Sequence, residues 1–167
     1  MSSTSSYPPT AEILPNIPAR DLLLQKPQQL SCIGPGETVY KAIELMAEAR
    51  VGALLVVKDG KLVGIISERD YARKVILVGR SSQATRVEAI MTQDVITVTP
   101  ETSLQSCMQL MTGHRIRHLP VVDQEEILGI VSIGDVVRET LNQQSHALAE
   151  LQRYVSGEPR SLPREFE

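Results

Sequence analysis

The chain has 167 residues, 42% of them apolar and only 3% aromatic, with no tryptophan and a formal net charge of −3. That length suits one domain, or two small units sharing a core, and the core must be aliphatic. The slight acidity argues against a general nucleic-acid or membrane-surface binder, which relies on clustered positive charge, though it leaves room for a local basic pocket.

No run of about eighteen apolar residues occurs, so no transmembrane helix is expected. The opening Met1-Ser2-Ser3-Thr4-Ser5-Ser6-Tyr7-Pro8-Pro9 has neither a basic nor an apolar region of signal-peptide type. Residues 1–15 are rich in Ser, Thr and Pro and are expected to form a disordered arm. From Asn16 the chain begins a pattern that it later repeats. Ala19-Arg20-Asp21-Leu22-Leu23 resembles Val87-Glu88-Ala89-Ile90-Met91. The spacing between these two is three residues longer than between the later matches, which predicts a loop insertion near Gln25-Lys26-Pro27-Gln28.

Each copy then follows one order. A short strand (31–33; 95–98) leads to a proline, Pro35 or Pro100. Thr38 and Ser103 stand where a hydroxyl can satisfy the free N–H groups of a helix start. Val39, Ala42, Ile43, Met46 and Ala47 carry helical periodicity in the first copy, and Leu104, Cys107, Met108 and Met111 in the second. Two β-branched runs come next, 53–57 and 62–67, joined by Lys58-Asp59-Gly60-Lys61, a hairpin signal. Their counterparts are 119–122 and 127–132, across Asp123-Gln124-Glu125-Glu126. A second helix opens at Asp70 or Asp135. The predicted fold class is α/β (α+β): two pseudo-symmetric β-α-β-β-α repeats, 16–80 and 81–141, packed sheet to sheet. Residues 142–167 are predicted to be a C-terminal helix and a frayed tail. Leu141, Leu148, Leu151 and Val155 are spaced for one apolar stripe, which suits packing on its own domain or a dimer contact.

Only Cys32 and Cys107 are present, at non-equivalent repeat positions on a predicted strand and a predicted helix. They read as small buried hydrophobes in a reducing cytosol, a redox pair being the alternative. No metal framework is visible, with no CxxC and too few histidines.

The strongest echo is Gly64-Ile65-Ile66-Ser67-Glu68-Arg69-Asp70 against Gly129-Ile130-Val131-Ser132-Ile133-Gly134-Asp135, which needs no gap. Pro35, Leu45, Met46, Arg50, Leu54, Val56, Val57 and Arg73 recur as Pro100, Leu110, Met111, Arg115, Leu119, Val121, Val122 and Arg138. A repeat of this length sets the architecture. It also predicts that a site built by one copy has a counterpart in the other. Asp at a helix start caps it and suits its dipole. A carboxylate can also take both hydroxyls of a ribose, while a serine and helix N–H groups address phosphate.

The tandem units and both Gly-h-x-Ser-x-x-Asp signatures resemble a cystathionine-β-synthase (CBS) domain pair, or Bateman module, over residues 16–141. Ser67 to Tyr71 and Arg115 to Val121 are similar to segments of the small stand-alone two-repeat proteins of bacteria and plant organelles. The resemblance implies regulatory binding of adenosine-containing ligands (AMP, ADP, ATP, NAD(H), S-adenosylmethionine) in clefts between the repeats, and usually a disc-shaped homodimer. Carried onto this chain, it makes Asp70 and Asp135 ribose ligands and places Ser67 and Ser132 along the ribose-phosphate region. Arg117 and His118 would reach the phosphate of the ligand held by Asp70. Their repeat counterparts, Gly52 and Ala53, carry no charge, so the Asp135 cleft would draw on Arg69 as the nearest cation. A solvated turn is the other reading of Arg117 and His118. Arg50 and Arg115, weaker candidates, also suit a helix end. Arg73 and Lys74 read as a solvated helical face or phosphate contacts. Ile17, Ile33, Val98 and Ile116 are candidate walls for adenine.

The expected function is a cytoplasmic energy- or redox-sensing module that takes AMP or NAD(H) and signals to a regulated partner by conformational or dimer change. It is expected not to be an enzyme, because no nucleophile, base and metal constellation appears. A ligand-free protein–protein adaptor, with a redox link through the cysteines, is the alternative.

Overall fold

Two hydroxyl caps start the two central helices, as the sequence predicts. Thr38 accepts from Lys41 N at 3.1 Å and opens α2 (Val39–Ala49); Ser103 accepts from Ser106 N at 3.1 Å and opens α4 (Leu104–His114). Both helices stop on an arginine in the left-handed conformation, Arg50 and Arg115, each with φ 55°. The recurrence of arginine here is therefore a recurrence at the helix stop, a position where glycine would be the unstrained choice. These features come from a computed structural model, which describes residues 16–26 and 30–156. The expected arm at 1–15, the tail beyond 156 and the loop residues Pro27 and Gln28 lie outside the described residues.

Strands β1 (Cys32–Ile33), β2 (Ala53–Lys58) and β3 (Lys61–Ser67) form one sheet, with β1 parallel and β3 antiparallel to β2. The β2–β3 hairpin closes through Asp59 and Gly60, both at positive φ, the turn its Asp-Gly pair favours. Strands β4 (His118–Asp123) and β5 (Glu126–Ser132) form the second sheet, closing through Gln124 and Glu125, also at positive φ. Both hairpins bulge at the equivalent step, between Val56 and Val57 and between Val121 and Val122. The strand predicted at 95–98 is reduced to a single parallel bridge, Val98 to Val121, held by Val98 N to Pro120 O and Val122 N to Val98 O at 2.9 Å each. Sheet contact between the copies runs through β3 and β5.

The two cores do not follow the two halves of the chain. Helix α1 (Ala19–Leu24) sends Ala19 and Leu22 into the core of the second copy, among Leu104, Met111, Leu119 and Val131. A 3-10 turn at Val87–Ala89 sends Val87, followed by Ile90, into the core of the first copy, among Val39, Met46, Leu54 and Ile66. Backbone bonds repeat the exchange in both directions. Ala19 N and Arg20 N donate to Thr102 O and Pro100 O at 2.8 and 3.0 Å; Val87 N and Glu88 N donate to Glu37 O and Pro35 O at 2.9 and 3.0 Å.

That exchange explains the glycine of the repeated signature. A Cβ on Gly64 would lie 2.6 Å from Met91 Sδ and 3.0 Å from Thr92 O, and a Cβ on Gly129 would lie 2.8 Å from Leu23 Cδ2. Each exchanged segment presses on the partner copy's strand where the side chain is missing.

Residues 16–136 form one unit, and the helical segment from Val137 belongs to another. Helix α5 spans Ile133–Ser156. Along the second unit, Leu141, Leu148, Leu151 and Val155 are exposed on one stripe, joined by Val137. Among the described residues no helix is long and apolar enough to cross a membrane. Cys107 is buried and Cys32 half-buried, neither in a disulfide, and burial pushes both thiols up.

Candidate functional site

The Ser-x-x-Asp pair builds the same knot in both copies. Strand β3 ends at Ser67, which caps α3 (Glu68–Tyr71); Asp70 Oδ2 accepts from Ser67 N and from Ser67 Oγ, both at 2.9 Å, while Asp70 N donates back to Ser67 Oγ at 3.3 Å. Strand β5 ends at Ser132, and Asp135 Oδ2 accepts from Ser132 N at 2.7 Å and Ser132 Oγ at 2.8 Å, with Asp135 N returning to Ser132 Oγ at 3.3 Å. This reciprocal capping accounts for the spacing of the motif on its own. It also turns each carboxylate toward a strand end, where backbone and side-chain donors converge.

The two carboxylates differ in their cations. Asp70 Oδ1 pairs with Lys74 Nζ at 2.8 Å, one helical turn on, and Lys74 Nζ also donates to Ile90 O at 2.7 Å. The chain continues there through a wide π-turn, Ala72–Ile76. In the second copy Glu139 stands at the position of Lys74 in sequence. Asp135 Oδ2 is paired instead with Lys26, from the insertion. Burial pushes the Asp135 carboxyl up, but the hydrogen bonds from Lys26 and from Ser132, with the Lys26 charge, outweigh it and hold the group below its ordinary value.

A cavity of about 470 Å³ opens between the copies. That is within the span of about 300–1,000 Å³ typical of small-molecule sites. The first copy contributes Ser67, Glu68, Arg69 and Asp70; the second contributes Arg115, Ile116, Arg117, His118 and Ser132. Thr92, Asp94, Val95 and Ile96 of the connecting segment line it too, as do Gly52, Ile65, Ile133 and Gly134. Backbone bonds keep pseudo-symmetry here: Glu68 N donates to Gly52 O at 3.1 Å, and Ile133 N to Arg117 O at 2.8 Å. Gly52 and Arg117 thus hold equivalent backbone positions, and only the second carries a guanidinium.

Several expected residues therefore meet in one place. Ser67, Asp70, Arg117, His118, Ser132, Arg115 and Ile116 all line the cavity. Arg69, expected beside Asp135, lines the same cavity as Asp70, and its Nη1 donates to Arg115 O at 3.2 Å, at the carbonyl end of α4. Asp135 is not among the lining residues, nor are Arg50, Ile17, Ile33 and Val98. Arg50 ends α2, while Ile33 and Val98 belong to the two cores and Ile17 packs against one. His118 is not a fixed charge. Burial lowers its imidazole below the ordinary 6.5, the charges of Lys26, Arg117 and Arg69 add to this, and Asp135 opposes it, so the ring is neutral at pH 7.

Sequence reading missed Lys26, Glu68 and the connecting segment 92–96, and gave Lys74 no carboxylate partner. The spacing of Lys74 from Asp70, four residues along a helix, was a usable signal. Lys26 had none beyond its place in the insertion. Among the described residues no group of three or more His, Cys, Asp or Glu could hold a metal ion.

Chemically the cavity lining combines the guanidinium groups of Arg69, Arg115 and Arg117 and the capped carboxylate of Asp70 with aliphatic side chains. Guanidinium groups suit phosphate, and the carboxylate suits hydroxyl donors.

Comparison with known proteins agrees with this architecture. The family model described as the CBS domain matches residues 17–77 and 87–142. The Arabidopsis thaliana CBS domain-containing protein CBSX3, mitochondrial, is 51% identical over 126 residues, covering 72% of this chain and 61% of that protein, so the match spans under two thirds of that relative. A CBS-domain protein of Burkholderia ambifaria, provisionally ascribed to signal transduction, is 48% identical with a TM-score of 0.74, covering 76% of this chain and 96% of its own. A hexameric CBS-CP12 protein from bloom-forming cyanobacteria is 25% identical with a TM-score of 0.68, over 86% of this chain and 89% of that one. The paired signatures, the exchanged cores and the double family match lead to one conclusion: this chain belongs to the CBS-domain family, as a tandem pair.

Proposed function

We propose that the chain is a regulatory module that binds an adenine nucleotide, AMP or NAD(H), in the 470 Å³ cavity. The supporting observation is the convergence of Ser67 and Asp70 from one copy with Arg115 and Arg117 from the other on a single space. Asp70 holds the ribose. A carboxylate has about four acceptor positions, and Ser67 and Lys74 use three of them, leaving one on Oδ1 for a hydroxyl. Arg117, with Arg69 and Arg115 nearby, holds phosphate, and His118 serves as a neutral hydrogen-bonding group. ADP, ATP and S-adenosylmethionine share the adenosine half and are weaker candidates.

The module works by binding rather than by catalysis. Both serine hydroxyls are engaged in the caps, donating to carboxylates, so neither is arranged as an activated nucleophile. The setting is cytoplasmic. The ligand biases one arrangement of the copies, or of a homodimer, by binding it more tightly than the alternative. The exposed α5 stripe is the self-association face, and it would equally serve a ligand-free adaptor.

Thermal unfolding with AMP and with NADH tests the reading. At a ligand excess of about 100 Kd the wild-type protein gains about 2.7 kcal/mol. For a chain of this length that raises Tm by about 5–10 °C. Asp70→Asn should keep most of the cap and lose most of the shift. A wild-type Tm unmoved by either nucleotide favours the adaptor, and turnover of added nucleotide refutes the binding-only reading.

A further inference from the structure

A bare carboxylate can take both hydroxyls of a ribose, but Asp70 is not bare. A fork of two hydroxyls needs a free lone pair on each carboxylate oxygen, or two on the same one. Asp70 Oδ2 accepts from Ser67 N and from Ser67 Oγ, at 2.9 Å each, and those two bonds fill it. Asp70 Oδ1 pairs with Lys74 Nζ at 2.8 Å, which takes one of its two positions. A single position faces the ligand.

The lysine is held where it stands. Four residues on from Asp70 along the helical path, it faces the carboxylate from the same chain segment. Its ammonium also donates to Ile90 O at 2.7 Å. That carbonyl is a firm anchor: Ile90 is 2% exposed in the first core, and its own N donates to Val87 O at 3.1 Å. The Asp70 side chain is sheltered at 15% exposure, and a sheltered carboxylate resists losing its cation. A ribose claiming both positions of Oδ1 would have to break a contact fixed to the exchanged segment as well as to the carboxylate.

We infer that Lys74 determines specificity by restricting Asp70 to one ribose hydroxyl, so that the cavity recognises that hydroxyl and accepts a nucleotide lacking the other. This deepens the nucleotide reading and rests on Asp70 as the ribose ligand. The ligand class widens accordingly, to adenine nucleotides whose sugar is an intact ribose or one deoxygenated at the carbon that Asp70 does not read.

Calorimetric titration of AMP, 2′-deoxy-AMP and 3′-deoxy-AMP into wild type and Lys74→Met provides the test. In wild type one deoxy nucleotide should bind within about twofold of AMP, and the other at least about tenfold more weakly, the loss of one bond to a charged acceptor. Lys74→Met keeps the apolar stem and frees the second position of Oδ1, so both deoxy nucleotides should then bind at least about fivefold more weakly than AMP. Each comparison is a ratio within one protein. A general loss of stability or of cavity charge weakens all three ligands alike and cancels.

Equal losses for both deoxy nucleotides in wild type overturn the inference and leave the nucleotide reading standing. The wild-type pattern in a Lys74→Met protein with wild-type circular dichroism does the same. AMP binding with no loss for either deoxy nucleotide removes Asp70 as the ribose ligand, and the inference with it. A wild type that does not bind AMP overturns the inference too; with NADH also silent, the nucleotide reading itself fails. The wild-type comparison needs no variant, so it can refute the inference even where Lys74→Met does not fold.

Discussion

Gly64→Ala places one methyl group where the exchanged segment of the second copy lies against β3. The added carbon would stand 2.6 Å from Met91 Sδ and 3.0 Å from Thr92 O, against an ordinary contact of about 3.5–4.0 Å. Met91 is a flexible side chain and can retreat, but the Thr92 carbonyl is held by its own bond to Ile65 and cannot. Overpacking of this kind costs about 1–3 kcal/mol. Alanine recovers about 0.5–1 kcal/mol of glycine's conformational entropy in a strand. The net expectation is a loss of about 1–2 kcal/mol, which urea unfolding reads as a midpoint lowered by about 0.5–1 M for a slope near 2 kcal/mol/M. Met91→Ala removes the nearer obstacle, so the double variant should be more stable than the sum of the two single losses by about 1 kcal/mol. A Gly64→Ala protein as stable as wild type, or a strictly additive double variant, would refute the explanation of the glycine as a docking requirement.

Arg117→Ala should weaken AMP binding by about 12–30-fold, because a charge-assisted phosphate contact at an exposed guanidinium is worth about 1.5–2 kcal/mol. Adenosine binding should move by less than about twofold; equal losses for both ligands would show that Arg117 does not face phosphate. His118 predicts a pH dependence whose sign follows from its lowered value. Between the folded value and the ordinary 6.5 the unfolded chain holds more protons, so its contribution to stability is full above pH 6.5 and is lost as pH falls below it. Urea midpoints from pH 8 to pH 5 should fall in wild type and flatten in His118→Asn, and an unchanged slope in the variant would refute the assignment. Asp135, also lowered, contributes in a separate window: its stabilisation is complete above 3.8 and disappears as pH falls through the folded value.

Most of the architecture is legible in the sequence through the repeat. Polar caps at Thr38 and Ser103, the Asp-Gly turn and the paired glycines are local signals, and each is realised locally. The strand predicted at 95–98 shrank to one bridge because the β-branched run Val95, Ile96 and Val98 is shared between two duties. Val98 enters the core and Ile96 packs against it, while Val95 and Ile96 also line the cavity. Convergence of Arg117 with Asp70 was legible through pseudo-symmetry and resemblance. The partnership of Lys26 with Asp135 was not, because an insertion has no counterpart to be compared with and its spacing carries no period. The neutral state of His118 was also hidden, since burial and three cations act on it from separate segments of the chain.

The exchanged segments carry a consequence for how such a chain could have arisen and how it must fold. A single copy of the repeat, made alone, would keep its slot at the glycine empty and its leading helix undocked. Two such molecules would satisfy each other by trading arms. The tandem chain has the arrangement of that swapped dimer with its two halves joined, so that what would be a bimolecular encounter becomes loop closure. Neither half can finish its interior before the other has arrived. Unfolding of residues 16–136 is therefore expected to be a single cooperative transition, and splitting the chain between the copies should yield two fragments that recover structure only when mixed.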